Sequence, residues 1–478
     1  MTKKKGFLQN SIWGLASNIL QNVLLSAFFL IIARKFPVVD FGNYLIANSL
    51  YQVISSFSAL GLGQWFIRQL SDEEDISHFL NKFLKIQLFA GLFFYLVNVV
   101  VAYTLYSDST VQILSLLIGI NIVFDNIIYS VKHLNIAQFE QNKTFVVLIV
   151  EAVLKVLLGV VIFVYPYTIT QMAVVLVVFR MITLNLFLRI STSKLANFGS
   201  IIKNKVTLHD FKSLIIANWP FIIVGSIAVI YWRIGSILIS KFLAVADVAT
   251  YEIAYKFFSL AEIIPVIISA SIFPELLKVY KEEGAEAFSK FYKLFYKLYL
   301  VFGFLAFSFM YSFADDIVLL AFGDSFADAG FYTKGMFLTI LIFPTALLQA
   351  NVLIILKMEK RDMWFNIASF IVNFAISFIG LMYWKSLTVI NLSIFASFIV
   401  FHLLQDSVMV KEKITSVMAI FKSYALLFLV CGGYVYLSDL LNNYLLFISF
   451  WMIAFSILIF TDERILGFIK EKSGLKPA

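Results

Sequence analysis

The sequence predicts an all-α polytopic membrane protein with about fourteen transmembrane helices, or twelve at the lower count, forming two six-helix lobes around a central cleft. Three observations carry this: an extreme apolar composition, a succession of long apolar runs separated by short basic connectors, and an internal repeat. Of the 478 residues, 61% are hydrophobic and 14% charged, and the mean hydropathy is +0.91. Soluble domains run at about 45–50% apolar and about 25% charged, so a soluble fold is excluded.

Crossing a bilayer takes about 20 mainly apolar residues, because only a helix satisfies its own backbone groups in hydrocarbon. Such runs fall at approximately 8–33, 41–66, 83–106, 111–131, 144–165, 171–190, 213–240, 248–273, 294–313, 331–356, 363–384, 388–410, 423–438 and 443–460. The basic start, Met1 to Gly6, leads directly into the first run, which is too long for a signal h-region and lacks a small-residue cleavage site. The stretch from Ala314 to Gly330 reads as a loop lying on the surface, and KEEGAEAFSKFYKLFYKLY as an interfacial helix. Cys431, the single cysteine, reads as a buried small hydrophobe.

Positive residues are retained on the cytoplasmic side. With the N-terminus inside, the outer connectors hold only Arg34, Lys35, Lys241, Lys334 and Lys385. Lys155, Arg180, Arg233 and Lys256 lie within spans, and every other Lys and Arg falls in an inner connector. The expectation is an even span count with both termini cytoplasmic. The net charge of +8 is thus explained by topology and not by a nucleic-acid-binding face.

Sliding the chain by 207 positions aligns Asp40, Tyr44, Ile46 and Ala47 with Asp247, Tyr251, Ile253 and Ala254, each just after an odd-numbered span. The repeat unit is six helices, which keeps its orientation and implies parallel halves. The expected division is an N-lobe over 1–190, a cytoplasmic linker over 191–212, a C-lobe over 213–410, and two further helices with a cytoplasmic tail over 411–478. A cleft between such lobes is the usual place for a transported substrate.

An ionisable group at mid-bilayer is costly, so the four intramembrane cations should face a cavity or a partner. With Arg34 and Arg68 at the ends of the first helical pair, they are candidates for lining an aqueous cleft that attracts an anionic group, arginine offering a fork that fits phosphate oxygens. Glu151 with Lys155, and Glu252 with Lys256, are spaced i,i+4, so each lysine either pairs on its own helix or faces the cleft. Arg180 and Arg233 have no acid at that spacing. Arg34 and Arg68 read equally well as interfacial anchors. Asp125 and Glu262 have no local cation and, with Glu151 and Glu252, are candidates for carrying a coupling proton; His402 and Asp406 rank below them. Span 1 carries Asn10, Ser11, Ser17, Asn18, Gln21, Asn22 and Ser26, which suit helix packing or sugar hydroxyls. Pro220, Pro265, Pro274 and Pro344 are positioned to kink helices.

The four histidines, His78, His133, His209 and His402, lie far apart, and there is no HExxH, no P-loop and no metal-ligand spacing. Asp315, Asp316, Asp324 and Asp328 read as a solvated outer loop. No enzyme, cofactor or metal is expected.

Two blocks resemble a known family, the Wzx-type polysaccharide transporters of the multidrug/oligosaccharidyl-lipid/polysaccharide exporter superfamily. The opening NSIWGLASNILQNVLLSAFFLIIARKFPVVDFGNYLIANSLYQVISSFSALGLGQWFIRQLS is similar to the family's N-terminal signature, with its D/E-F-G-x-Y loop, the glycines Gly61 and Gly63, and the terminal Arg68. The block RIGSILISKFLAVADVATYEIAYKFFSLAEIIPVIISASIFPELLKVY resembles its seventh and eighth helices, including Tyr-x-x-Ala-Tyr-Lys and the closing Pro274. It departs in having Arg233 and Gly235 where many members carry an acid, and Ala249-Thr250 where a glycine is usual. The resemblance runs to about residue 410. It implies a flippase that moves undecaprenyl-diphosphate-linked repeat units across the bacterial cytoplasmic membrane by alternating access, with proton or sodium antiport and a cationic lumen. The partners it implies are the lipid-linked oligosaccharide, membrane lipids, H+ or Na+, and other polysaccharide-assembly proteins. A multidrug exporter of the same superfamily, a lipid II flippase and a scaffold for polysaccharide enzymes remain as rivals.

Overall fold

A computed structural model describes residues 2–72, 74–191, 198–203 and 205–461. Lys194, Arg464, Lys470, Lys472 and Lys476, with part of the expected linker and tail, lie outside the described residues. Among the described residues there is no β-strand, and the helices follow in order. The first half holds α1 (Thr2–Lys35), α2 (Val38–Ser58), α3 (Gly63–Asp72), α4 (Ile76–Leu105), α5 (Ser109–Gly119), α6 (Asn121–Ala137), α7 (Gln141–Val164), α8 (Ile169–Ser191) and α9 (Phe198–Lys203). The second holds α10 (Leu208–Phe242), α11 (Val245–Ala261), α12 (Ile263–Glu282), α13 (Gly284–Phe322), α14 (Ala329–Met336), α15 (Phe343–Ile355), α16 (Glu359–Trp384) and α17 (Leu387–Lys411), followed by α18 (Val417–Leu440) and α19 (Asn443–Thr461).

Eleven helical stretches among the described residues are long and apolar enough to cross a membrane. Helices α2, α10 and α19 occupy the positions of the second, seventh and fourteenth expected spans, so the count agrees with the twelve to fourteen anticipated. Large apolar side chains such as Phe93, Leu96, Val100 and Val164 remain exposed along these helices, as a lipid-facing surface requires.

Shifting by 207 carries Val38, the first residue of α2, onto Val245, the first of α11. Packing repeats as well. Helix α1 packs on α7 as α10 packs on α16, α2 on α5 as α11 on α14, and α7 on α8 as α16 on α17. The lobes meet chiefly where α2 lies against α10 and α11, and α18 and α19 attach to α13. There Tyr434 and Ser312 share a 2.6 Å hydrogen bond and the Trp451 indole N–H donates to Ser308 at 3.0 Å.

Corresponding spans are broken in both lobes, for identifiable reasons. Between α2 and α3 the chain turns through Leu60 and Gly61, both with positive φ; at Gly61 the missing side chain makes φ 58° unstrained. Between α11 and α12 the cause is Pro265, which has no N–H to bond the carbonyl of Ala261. The fourth span divides into α5 and α6, and the tenth into α14 and α15, the latter with Pro344 in its first turn. Pro274 lies inside α12, and the Pro220 side chain is outside the described set. Elsewhere helix ends carry caps: Asp75 accepts from the His78 amide at 2.9 Å, and Asp108 from the Thr110 and Val111 amides.

Three expectations need correction. The eighth span does not end near 273 but runs, across the break, from Val245 to Glu282. Residues 314–322 are not a surface loop; they continue α13, and Ala314, Val318 and Phe322 are buried. Residues 284–299 do not lie flat on the membrane but form the first turns of that 39-residue helix, with Phe288, Tyr292 and Tyr299 buried against α12 and α15. Their apolar face was legible, but its partner was protein and not lipid.

A candidate anion-binding cavity between the lobes

Two charge clusters occupy the membrane interior. The first lies within the N-lobe. Arg180 on α8 is held by acids from two other helices: its guanidinium reaches Asp125 of α6 at 2.5 Å and Glu151 of α7 at 2.6 Å. Glu151 also pairs with Lys155 one turn along α7 at 2.7 Å, and the Tyr51 hydroxyl of α2 donates to Asp125. Lys132, half-buried on α6, lies close enough to interact with Arg180, Asp125 and Glu151, so three cations meet two acids here. The Glu151 side chain is 1% exposed, which leaves it dependent on those partners.

The second cluster lies at the lobe interface. Arg233 on α10 and Glu252 on α11 pair at 2.8 Å. Glu252 also accepts from Ser236 at 2.5 Å and from Ser49 of α2 at 3.2 Å, so one carboxylate ties three helices from both lobes. The Arg233 guanidinium lies 4.8 Å from the centre of the Tyr255 ring. Replacing Ser236 by alanine is expected to destabilise the protein by about 1.5–3 kcal/mol, the usual net worth of a hydrogen bond to a charged group, and thermal unfolding in detergent measures it.

Glu252 is therefore taken by Arg233 and not by Lys256, its i,i+4 neighbour. Among the described residues Lys256 forms no ion pair, and its ammonium lies 5.8 Å from the Phe29 ring centre. Glu262 stands at the break between α11 and α12, and its carboxyl likewise has no ion pair or hydrogen bond there. Both open onto a cavity of about 430 Å³ between the lobes, which Lys155, Arg233 and Glu252 also line. Because Lys155 also serves Glu151, the charge is counted over both clusters together: Lys132, Lys155, Arg180, Arg233 and Lys256 against Asp125, Glu151, Glu252 and Glu262 leave one positive charge in excess. Tyr44, Asn48 and Gln52, one turn apart along α2, add uncharged hydrogen-bonding groups, with Asn22 from α1 and Ser259 from α11. A second cavity of about 320 Å³ shares Gln52 and reaches past Tyr51 and Ser55 to Gly61 and Tyr129.

Toward the end where α1 meets α2 the lobes are in contact. Phe29 packs edge-on against Phe322 at 6.1 Å and Phe41 against Phe326 at 6.2 Å, while Phe257 within the second lobe backs Phe322 at 5.9 Å. Arg34 donates to the Leu320 carbonyl, and Tyr106 and Ser240 share a 2.8 Å hydrogen bond.

Of the sequence candidates, the structure gathers Lys155, Arg233, Glu252, Lys256 and Glu262 around one cavity, and places Arg180, Asp125 and Glu151 behind it, joined through Lys155. Arg34 sits at the lobe contact and Arg68 is exposed on α3; neither lines the cavity. Asp315 pairs with Lys334, and Asp316 accepts from Tyr444, so those acids fasten helices. No group of His, Cys, Asp or Glu among the described residues is arranged to hold a metal. Sequence reasoning missed Tyr44, Asn48 and Gln52, whose i,i+4,i+8 spacing on an apolar helix is the signal that marks a polar stripe.

The fold is that of the multidrug/oligosaccharidyl-lipid/polysaccharide (MOP) superfamily, and the chain is a multi-pass membrane protein of that architecture. It belongs to the polysaccharide biosynthesis protein family, whose model matches residues 7–279, more than half of its length. Among solved structures it is similar to the lipid II flippase MurJ in an inward closed conformation, with TM-score 0.67 and 17% identity over 95% of this chain and 100% of that one. It is also similar to a multidrug resistance MATE family transporter in an inward-facing conformation, with TM-score 0.65 and 12% identity over 84% of this chain and 99% of that one. A MOP superfamily transporter from Pyrococcus furiosus, described as having a binding pocket of reverse polarity, matches with TM-score 0.54 and 11% identity over 86% of this chain and 96% of that one. No curated protein matches the chain.

Proposed function

We propose that this protein is a flippase for lipid-linked oligosaccharides, carrying an undecaprenyl-diphosphate-linked repeat unit across the bacterial cytoplasmic membrane by alternating access, with both termini cytoplasmic. The observation that supports this best is the interlobe cavity, where the Lys256 ammonium, without an ion pair among the described residues, stands beside a stripe of amides and hydroxyls. Cations suit a diphosphate, and amides suit sugar hydroxyls. Apolar helix surfaces leave the lipid tail in the bilayer. The lobe contact near Phe29 and Phe322 closes one end, which the distribution of Lys and Arg makes the outer end. Movement of one lobe against the other then exposes the cavity on the opposite side. Coupling to an ion is part of the reading, and the ion-paired Asp125, Glu151, Arg180 and Lys155 cluster is a place where proton uptake would alter packing.

The test is the side on which lipid-linked glycan resides. Membranes depleted of this protein are expected to accumulate it on the cytoplasmic face, wild type to relieve the accumulation, and Lys256→Gln to relieve it about tenfold less, the loss of one close charge contact. Absence of accumulation together with drug sensitivity of the depleted cells would replace this reading with that of a drug exporter.

A further inference from the structure

Lys256 and Glu262 are the charges in the cavity with no partner of their own among the described residues, and they have opposite effects on an anion. The titratable and charged groups around them are Arg233 from α10, Glu252 and Tyr255 from α11, Lys155 from α7 and Tyr44 from α2. Arg233 is committed to Glu252 and Lys155 to Glu151. The charge free to meet a ligand is therefore Lys256, and the charge free to repel it is Glu262. Six positions separate the two along the chain, Lys256 within α11 and Glu262 at the break that ends it, and both face the same space.

We propose that Glu262 is a proton-operated switch on anion binding at Lys256: the cavity accepts a diphosphate when Glu262 is protonated and rejects it when Glu262 is ionised. The inference rests on the diphosphate reading above and specifies how that site is regulated. An ionised carboxylate sharing a low-dielectric cavity with a diphosphate adds a like-charge repulsion; a protonated one removes it and offers a hydroxyl that donates to a phosphate oxygen. Proton and substrate thus bind together. A proton-for-substrate exchange at one residue needs the two to compete, as they do where an acid binds a cationic drug. Glu262 therefore sets affinity, and any antiported ion binds elsewhere.

The experiment is calorimetric titration of the full-length protein in nanodiscs with farnesyl diphosphate, farnesol serving as the uncharged control, at about pH 6 and about pH 8, bracketing neutrality. Wild type is expected to bind the diphosphate about tenfold more tightly at the lower pH, the size of one like-charge contact removed. Deprotonation of the ligand itself acts in the opposite sense, since it adds negative charge at the higher pH. Glu262→Gln is expected to bind tightly at both pH values, Glu262→Asp to retain the pH dependence, and Lys256→Gln to weaken binding at both. Matching pH profiles in wild type and Glu262→Gln, with diphosphate binding intact, would overturn the switch and leave the flippase reading standing. Equal binding of farnesol and the diphosphate, or no binding in any variant, overturns the diphosphate site and the switch with it.

Discussion

Replacing Arg180 by alanine is expected to cost the folded protein about 3–5 kcal/mol, the usual penalty for stripping one partner from a buried ion pair, and to lower its yield in membranes severalfold. Arg180 joins α8 to α6 and α7 through Asp125 and Glu151. With it gone, Glu151 keeps Lys155, whereas Asp125 loses its only ion pair and keeps the Tyr51 hydroxyl, with the Lys132 ammonium nearby but not bonded to it. The defect should therefore be repairable at one specific place. Asp125→Asn in the same chain removes the orphaned charge, and the double variant is expected to regain most of the lost stability; thermal melting in detergent of the four proteins of the cycle measures the coupling. If the two single substitutions prove additive, Arg180 and Asp125 do not depend on each other. The consequence for function is practical. Loss of transport in Arg180→Ala would say little about substrate binding, whereas loss in Lys256→Gln, which breaks no ion pair, would say a great deal.

How much of this was legible in the sequence differs by level. Span positions, the six-helix repeat and the lobed architecture rest on hydropathy and on the pairs Asp40/Asp247 and Tyr44/Tyr251, which are local or periodic signals. Residues 281–299 show where that fails: an apolar stripe says that a face is covered, not by what, and Phe288 and Tyr292 turned out to face α12 and α15. Charge partners were harder still. The i,i+4 rule predicted Glu151 with Lys155, and the structure places them together, but it offered Glu252 to Lys256 when Arg233 holds it. Arg180 and Asp125, 55 positions apart, could be matched only once the helices were packed. Intrahelical spacing covers one element, whereas a buried charge is satisfied by whatever helix lies opposite. The eighth span's break at Glu262 illustrates the same point in reverse: Pro265 was visible in the sequence, and its effect, which sets an acid at the wall of the cavity, depends on where α1 and α2 lie.

Gly42→Val is expected to reduce transport by about a hundredfold while leaving the protein folded, because it obstructs contact between the lobes without touching the cavity. A side-chain carbon at position 42 would lie 2.5 Å from the carbonyl oxygen of Val245 and 2.6 Å from its Cγ1, distances that no packing tolerates. Gly42 is on α2 and Val245 begins α11, so the clash falls between the lobes, beside the aromatic contacts of Phe41 and Phe326. Relief requires the lobes to separate at that end. Overpacking of a buried contact costs about 1–3 kcal/mol, and the upper part of that range depletes the closed state about a hundredfold. An alternating-access cycle that visits this state loses rate in proportion. Stability should change little, since each lobe keeps its own core. Accessibility offers a direct readout: with Cys431, the single native thiol, replaced by serine, a cysteine introduced at Ser259 in the cavity wall should become reactive toward a membrane-impermeant maleimide applied from outside. Gly42→Ala, which adds one carbon, should show the same direction with a smaller amplitude. Wild-type transport by Gly42→Val, with Ser259→Cys still shielded from outside, would mean that the contact at Gly42 yields without opening the lobes, and that the outer seal lies with the phenylalanines and the hydrogen bonds of Arg34 and Tyr106.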